Sequence, residues 1–482
     1  MRRHAVLCLL FSVCTCGLVD VLCRSISVVD SGAARAAEVK GTLQTAGQTL
    51  IQKSAVLRPG SSSTRAPLPH LIRLHQELSP VRHNGKLVSH KIIYSGTVHL
   101  GYPSPQEFRV VYDTGSAHLI VPSTACNSST CRKHTRYDLR LSKTGKAVNL
   151  DGQPIRLGDR VDEVTIAFGT AQVHGRFVQE EVCLGPAQRP AAAKPAPCVR
   201  ANVVAATRLS SSPFDQFSFD GIFGLGLPAL ALSNNFSVFD ILAQSGRLQT
   251  PHFAFFLAGD SKTEQSELAV GGHNPNRLIG PLSWVPLART ELGYWQVELV
   301  GVRIDGKALD VCRGGTCFGI LDSGTSHLGV PQSQSDLFDE SLTRHMDSVA
   351  DCRFINAPEV VFELPGLNLT IGPRDYMRKL PLTEQMSMRP KVILPEMNDT
   401  RYEHSEAEAA TSGGSLLGEA TGEPAIATGG NCTPKLLALD WPRPVGPNIF
   451  ILGAPIMQRY YTVFDWGGLK AGFGLARRAE DS

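Results

Sequence analysis

The chain has 482 residues and a mass of 52.0 kDa, enough for one large two-lobed unit or two to four domains of roughly 100–200 residues. With 42% hydrophobic and 19% charged residues and a mean hydropathy of -0.04, it is globular rather than disordered, collagenous or coiled-coil. The 47 basic residues against 44 acidic ones give no concentrated cationic face, so a nucleic-acid partner is not expected.

The charged start Met1-Arg2-Arg3-His4 is followed by an apolar stretch over 5–22, the pattern of a secretory signal peptide. Asp20 and the short span favour cleavage near residues 23–25 over a retained anchor, so 1–24 is assigned to the signal. Beyond it no segment reaches about 18 unbroken apolar residues, and the mature chain is expected to lack a transmembrane anchor. Over 24–91 the balance changes, with ten basic residues against three acidic ones (Asp30, Glu38 and Glu77) and a Pro59-Gly60-Ser61-Ser62-Ser63 linker. Composition alone leaves two readings of 25–90 open. One is a solvated basic tail; the other is a removable pro-segment whose cations cover an acidic site until acidification breaks the pairing.

From residue 91 the pattern is β-rich, in short runs such as Ile92-Ile93-Tyr94-Ser95-Gly96-Thr97-Val98-His99-Leu100 and Phe108-Arg109-Val110-Val111-Tyr112. Long amphipathic helices are few, and the best candidates are 238–248 and 336–350, each opened by a capping-type residue. The expectation is an all-β body with a few short helices.

An internal repeat carries most of the information. Asp113-Thr114-Gly115-Ser116-Ala117-His118-Leu119-Ile120-Val121-Pro122 recurs as Asp322-Ser323-Gly324-Thr325-Ser326-His327-Leu328-Gly329-Val330-Pro331, identical at six of ten positions. Each copy follows an apolar strand, so each carboxylate stands at a strand-to-loop junction where glycine permits a sharp turn. Farther on, Asp220-Gly221-Ile222-Phe223-Gly224 is echoed by Ile449-Phe450-Ile451-Leu452-Gly453. The pattern predicts two related lobes, an N-terminal one over 91–285 and a C-terminal one over 286–482.

Two such lobes can bring Asp113 and Asp322 together on a pseudo-twofold axis. Carboxylates about 3 Å apart cannot both ionise cheaply, so they share a proton. One then serves as base toward a water and the other as acid toward a carbonyl oxygen. Thr114 and Ser323 are expected to lock the two loops, with Gly115 and Gly324 at the turns and Ser116 and Thr325 donating to the carboxylates. His118 and His327, five residues past each Asp, are read as loop histidines rather than proton relays, because the dyad supplies both acid and base.

Four cysteines (Cys8, Cys14, Cys16, Cys23) fall in the signal, leaving Cys126, Cys131, Cys183, Cys198, Cys312, Cys317, Cys352 and Cys432. Three close pairs and one distant pair in an oxidising lumen favour four local disulfides, although sequence alone leaves the connectivity open. Neither CxxC spacing nor HExxH accompanies them, so no metal and no other cofactor is expected. Asn127, Asn235, Asn368, Asn398 and Asn431 head Asn-x-Ser/Thr sequons and are glycosylation candidates.

Over residues 94–475 these motifs resemble the pepsin-like aspartic endopeptidases. Besides the two Asp motifs, the resemblance includes Cys126 and Cys131 after the first, Cys312 and Cys317 before the second, and Asp220-Gly221-Ile222-Phe223-Gly224-Leu225-Gly226. Gly293-Tyr294-Trp295-Gln296 and the run from Ile451-Leu452-Gly453 to Tyr460-Tyr461-Thr462-Val463-Phe464-Asp465 add to it. It implies a bilobal β fold with a cleft for an extended protein or peptide substrate, a monomer, and a zymogen whose pro-segment acts as an intramolecular inhibitor.

The sequence also departs from the family. Ile166-Ala167-Phe168-Gly169-Thr170 resembles the flap that closes over substrate, with Phe168 at the usual Tyr position and Ile120 at the place of its Trp partner. Replacing both partners by apolar groups can be nearly neutral for stability, so altered flap dynamics and S1 preference are expected rather than a dead site. Ala454 follows Ile451-Leu452-Gly453 where pepsins tend to carry Asp, which suggests a less extreme acidic optimum. Two loops look inserted. One, over 185–197, lies between Cys183 and Cys198, expected to form an extra staple; the other, over 384–430, lies within the Cys352 to Cys432 interval and is read as a solvated excursion. With these features the chain is similar to family members of parasitic protists. The expectation is an aspartic endopeptidase of the secretory pathway, secreted or in an acidic endomembrane or vacuolar compartment. The opposing class, a catalytically silent peptide-binding homologue, is disfavoured because both Asp motifs are intact.

Overall fold

A computed structural model of the chain describes residues 69–83, 86–168, 171–186, 196–259, 264–312, 317–382 and 428–479, with backbone alone at 5–6, 26–29, 81–83, 86–89, 168 and 428–429. The signal assignment, most of the 25–90 segment, Gly169, Thr170, Asn398 and most of the 384–430 insertion therefore lie outside the described residues. The described chain is all-β in two lobes with a few short helices.

Each lobe is built on the same four strands. In the first, Gly221–Gly224 runs parallel to Gln106–Asp113, with Gly224 opposite Asp113, and antiparallel to Leu119–Pro122; Cys198–Leu209 lies parallel to Leu119–Pro122 on its far side. In the second, Ile449–Leu452 runs parallel to Cys317–Leu321 and antiparallel to Leu328–Pro331, which pairs in parallel with Leu436–Leu439. The repeat in sequence is thus a repeat in topology. Central strands covered on both faces need continuous apolar runs rather than alternation, and Leu119–Pro122, Gly221–Gly224, Leu328–Pro331 and Ile449–Leu452 are buried at every position.

A further antiparallel sheet joins the lobes. Its order is His70–His83, Ser266–Val270, His252–Phe256, Tyr460–Asp465, Lys470–Ala476 and Leu278–Pro286. His252–Phe256 and Leu278–Pro286, which precede the second lobe's own repeat, thereby pair with strands at the far C-terminal end of the chain. Strand His70–His83 comes from the basic N-terminal segment, and its Ile72 and Leu74 are buried. Aromatic rings fill the space above this base: Phe253 stacks on Phe464 at 4.7 Å, and Trp295 meets Phe464 edge-on at 4.9 Å.

The predicted helix over 336–350 is corrected. Ser335–Leu342 is helical, but Arg344–Ser348 is a strand paired with Thr428–Cys432, because ladder bonds to a distant strand override local helical preference. The 238–248 prediction corresponds to a helix over Val238–Gln244. Among the described residues the eight cysteines form four disulfides, Cys126–Cys131, Cys183–Cys198, Cys312–Cys317 and Cys352–Cys432. Asn127, Asn235 and Asn368 are exposed, whereas Asn431 is half-buried and its Oδ1 lies 3.0 Å from His345 Nδ1.

Candidate active site

Asp113 ends its strand, and Asp322 directly follows Cys317–Leu321. Both carboxylates are 8% exposed, and the same donors hold each. Gly115 N–H donates to Asp113 Oδ1 at 3.0 Å and Ser116 Oγ donates to Asp113 Oδ2; Gly324 N–H donates to Asp322 Oδ1 at 2.9 Å and Thr325 Oγ1 donates to Asp322 Oδ2 at 2.8 Å. The two carboxylates face one point: a Cβ built on Gly324 would stand 2.5 Å from Asp113 Oδ1 and 3.2 Å from Asp322 Oδ1. Glycine there keeps that space open.

A reciprocal lock joins the two loops across the lobes. Thr114 N–H donates to Ser323 Oγ at 3.0 Å, and Ser323 N–H donates to Thr114 Oγ1 at 2.9 Å. Each hydroxyl then donates onward into the opposite strand, Thr114 Oγ1 to Leu321 O at 2.9 Å and Ser323 Oγ to Tyr112 O at 2.7 Å. Every polar atom of this buried set has a partner, so it fixes the loops rather than destabilising the core.

The support beneath also follows the repeat. A Cβ on Gly224 would lie under 3.0 Å from His118 N and Ala117 Cα, and one on Gly453 equally close to His327 O and Thr325 O. The glycine of each apolar-apolar-Gly strand is therefore the point where the aspartate loop packs onto its neighbour. Trp295 is the residue whose role the sequence left unread. It is fully buried, donates Nε1–H to Leu225 O at 2.7 Å, and accepts Leu321 N–H at its carbonyl at 2.9 Å, thereby touching the strand run of both lobes. Only its place in Gly293-Tyr294-Trp295-Gln296, one of the runs that carry the resemblance, marked it out. Asp220, likewise buried, accepts Arg109 N–H at 2.9 Å and Thr135 N–H at 2.7 Å, while burial pushes its carboxyl up.

The two histidines have separate surroundings. His118 is 3% exposed, and its Nε2 accepts Leu232 N–H at 3.0 Å. His327 Nδ1 lies 2.8 Å from Ser326 Oγ; burial first, then Arg378, Lys435 and Lys91, push its imidazolium down to about 3. It is neutral at ordinary pH and unsuited to shuttling protons.

The flap resemblance falls on the hairpin of Glu163–Phe168 with Ala171–Leu184. Backbone pairing reaches Phe168, opposite Ala171, but the Phe168 side chain, Gly169 and Thr170 lie outside the described residues. Ile120 is 2% exposed in the same buried cluster as Ile166 and Ile222. A water or peptide carbonyl seated between the two aspartates would meet a carboxyl from each lobe, an arrangement suited to acid–base hydrolysis.

Comparison with known proteins agrees with this geometry. Residues 93–390 match the family model described as eukaryotic aspartyl protease. Cathepsin E-A of Xenopus laevis is 29% identical over 384 residues, covering 79% of this chain and 78% of that protein. Vacuolar protease A of Aspergillus fumigatus is 26% identical over 419 residues, covering 84% and 86%, and renin of Rattus norvegicus 28% over 391 residues, covering 80% and 79%. With more than half its length matched, and two aspartate loops locked to one another across the lobes, the chain belongs to the eukaryotic aspartyl protease family.

Proposed function

We propose that the protein is an active aspartic endopeptidase in which Asp113 and Asp322 hydrolyse peptide bonds through a shared water. The observation that supports this most is the matched pair of carboxylates, each held by one loop N–H and one hydroxyl and both facing the space kept open by Gly324. A dyad holding one proton has a base and an acid at once. The ionised carboxylate takes a proton from the water as its oxygen attacks the peptide carbon, and the protonated carboxyl gives its proton to the carbonyl oxygen. Collapse of the resulting diol then breaks the C–N bond, with a proton passing to the leaving amine. Ser116 and Thr325, donating to the outer oxygens, hold the carboxylates in position.

The basic stretch over 25–90 is read as the pro-segment of a zymogen, and the signal pattern over 1–24 as entry into the secretory pathway. An acidic endomembrane or vacuolar compartment fits that reading, and one relative carries the name vacuolar protease. An extended peptide between the lobes is the substrate class, with Phe168, Gly169, Thr170 and Ile120 assigned to the flap side.

The test is cleavage of a diverse peptide library between about pH 3 and 7 by the processed protein, by Asp113→Ala and Asp322→Ala, and with a statine-type transition-state mimic. Cleavage by the wild type that falls at least about 1,000-fold in either variant supports the reading. Binding of the mimic without any cleavage overturns it in favour of a silent peptide-binding homologue.

A further inference from the structure

A cavity of about 510 Å³ that neither Asp113 nor Asp322 lines opens between the base sheet and the C-terminal lobe. Its C-terminal wall carries Arg353, Arg378, Lys379 and Lys435, and His90 also lines the cavity. These cations come from three separate stretches: the Cys352–Phe354 turn, the residues after Pro373–Tyr376, and the residue before Leu436–Leu439. Glu264 is the one lining carboxylate among the described residues, and Arg277 at 3.7 Å and Arg478 at 3.6 Å engage it.

The cationic side chains are unequally satisfied. Asp351 holds Arg353 with two hydrogen bonds. Arg378 is only 4% exposed, and its Nε is buried with no hydrogen-bond acceptor among the described residues. A buried guanidinium donor left unmade costs desolvation energy. Lys435 is under the same pressure: burial, with Arg353 and Arg378 beside it and Asp375 and Asp351 opposing, pushes its ammonium down to about 8. The Lys435 carbonyl accepts Leu328 N–H at 2.9 Å, which ties this wall to the strand leaving the Asp322 loop.

We propose that this cavity is an oxyanion site, taking a phosphate or carboxylate group on Arg378 and Lys435 with Lys379 at its rim. A guanidinium presents a planar fork of donors that matches such groups, and the ammonium adds a compact charge. The volume lies in the range of small-ligand sites. Free inorganic anion and an acidic peptide side chain share this chemistry as sources; the site, lined in part by His75 and His90 of the 25–90 segment, belongs to the unprocessed chain, and its binding is read without peptide cleavage.

Isothermal titration of the full chain with inorganic phosphate at low ionic strength, and in a second arm with a short Glu-rich peptide, tests the site by binding alone. Saturable one-to-one binding of either probe is expected, weakened about tenfold by Arg378→Gln and about threefold by the exposed Lys379→Gln, and weakened further by added salt. Uptake of phosphate alone assigns a free anion; uptake of the peptide alone assigns a carboxylate side chain. Arg378→Gln removes a buried group, so Lys379→Gln, on the surface, keeps the test decisive if that variant does not fold. Absence of saturable binding of both probes, or equal affinity in wild type and Lys379→Gln, overturns the proposal.

Discussion

Thr114 and Ser323 show how much of the site rests on two small side chains. Each is donor and acceptor at once, and both are buried. Thr114→Val keeps shape but leaves Ser323 N–H without its acceptor and Leu321 O without its donor. We expect a loss of about 1–3 kcal/mol in urea unfolding, with a lower kcat as the loops lose alignment. Because the bonds are reciprocal, Thr114→Val and Ser323→Ala should not add in a double-mutant cycle. A coupling energy near zero would show that the two loops are held independently.

At the scale of elements, the apolar-apolar-Gly strands act as the floor under the aspartate loops. Gly224→Ala and Gly453→Ala would each drive a Cβ into loop backbone, and backbone cannot swing aside as a side-chain tip can. A destabilisation of about 1–3 kcal/mol is expected for each. Gly372→Ala, where nothing lies within 4 Å and φ is -109°, should be close to neutral; thermal unfolding of the three variants makes the comparison. The disulfides differ in a similar way. Cys352–Cys432 closes a separation of 80 residues and Cys126–Cys131 one of 5, so in the chain-entropy account their removal by Ser pairs should cost about 4.5 and about 2 kcal/mol respectively. A larger loss from the short loop in denaturant titrations would refute that ordering.

Over the whole molecule, burial, reinforced by Arg378, Lys435 and Lys91, sets a pH dependence through His327. Its folded-state proton affinity corresponds to about 3, against the ordinary 6.5, so between those values the unfolded chain binds a proton that the folded chain refuses. Stability from this residue is present above about 6.5 and is lost as pH falls toward about 3. Asp220 and Asp375, whose carboxyls burial pushes up, act in the opposite sense, so the measurement is a difference. Wild type should lose stability relative to His327→Gln as pH drops through that window, and parallel curves would remove His327 as the cause.

Composition, the Asp-Thr/Ser-Gly repeat and its echoed apolar strands were enough to predict two related β lobes and to single out Asp113 and Asp322, because strand pattern and glycine turns are local and each lobe states them independently. The helix predicted over 336–350 was only half present because Arg344–Ser348 answers to Thr428–Cys432, far along the chain. Tertiary structure alone decided which atoms meet. The bond between Thr114 and Ser323 spans 209 residues, Trp295 joins two lobes whose strands carry no mark of it, and Arg353, Arg378 and Lys435 gather on one wall from stretches without a common motif. Periodicity along a chain reports which face is apolar, but only folding fixes the distances between faces, and hydrogen bonds and buried charges depend on those distances.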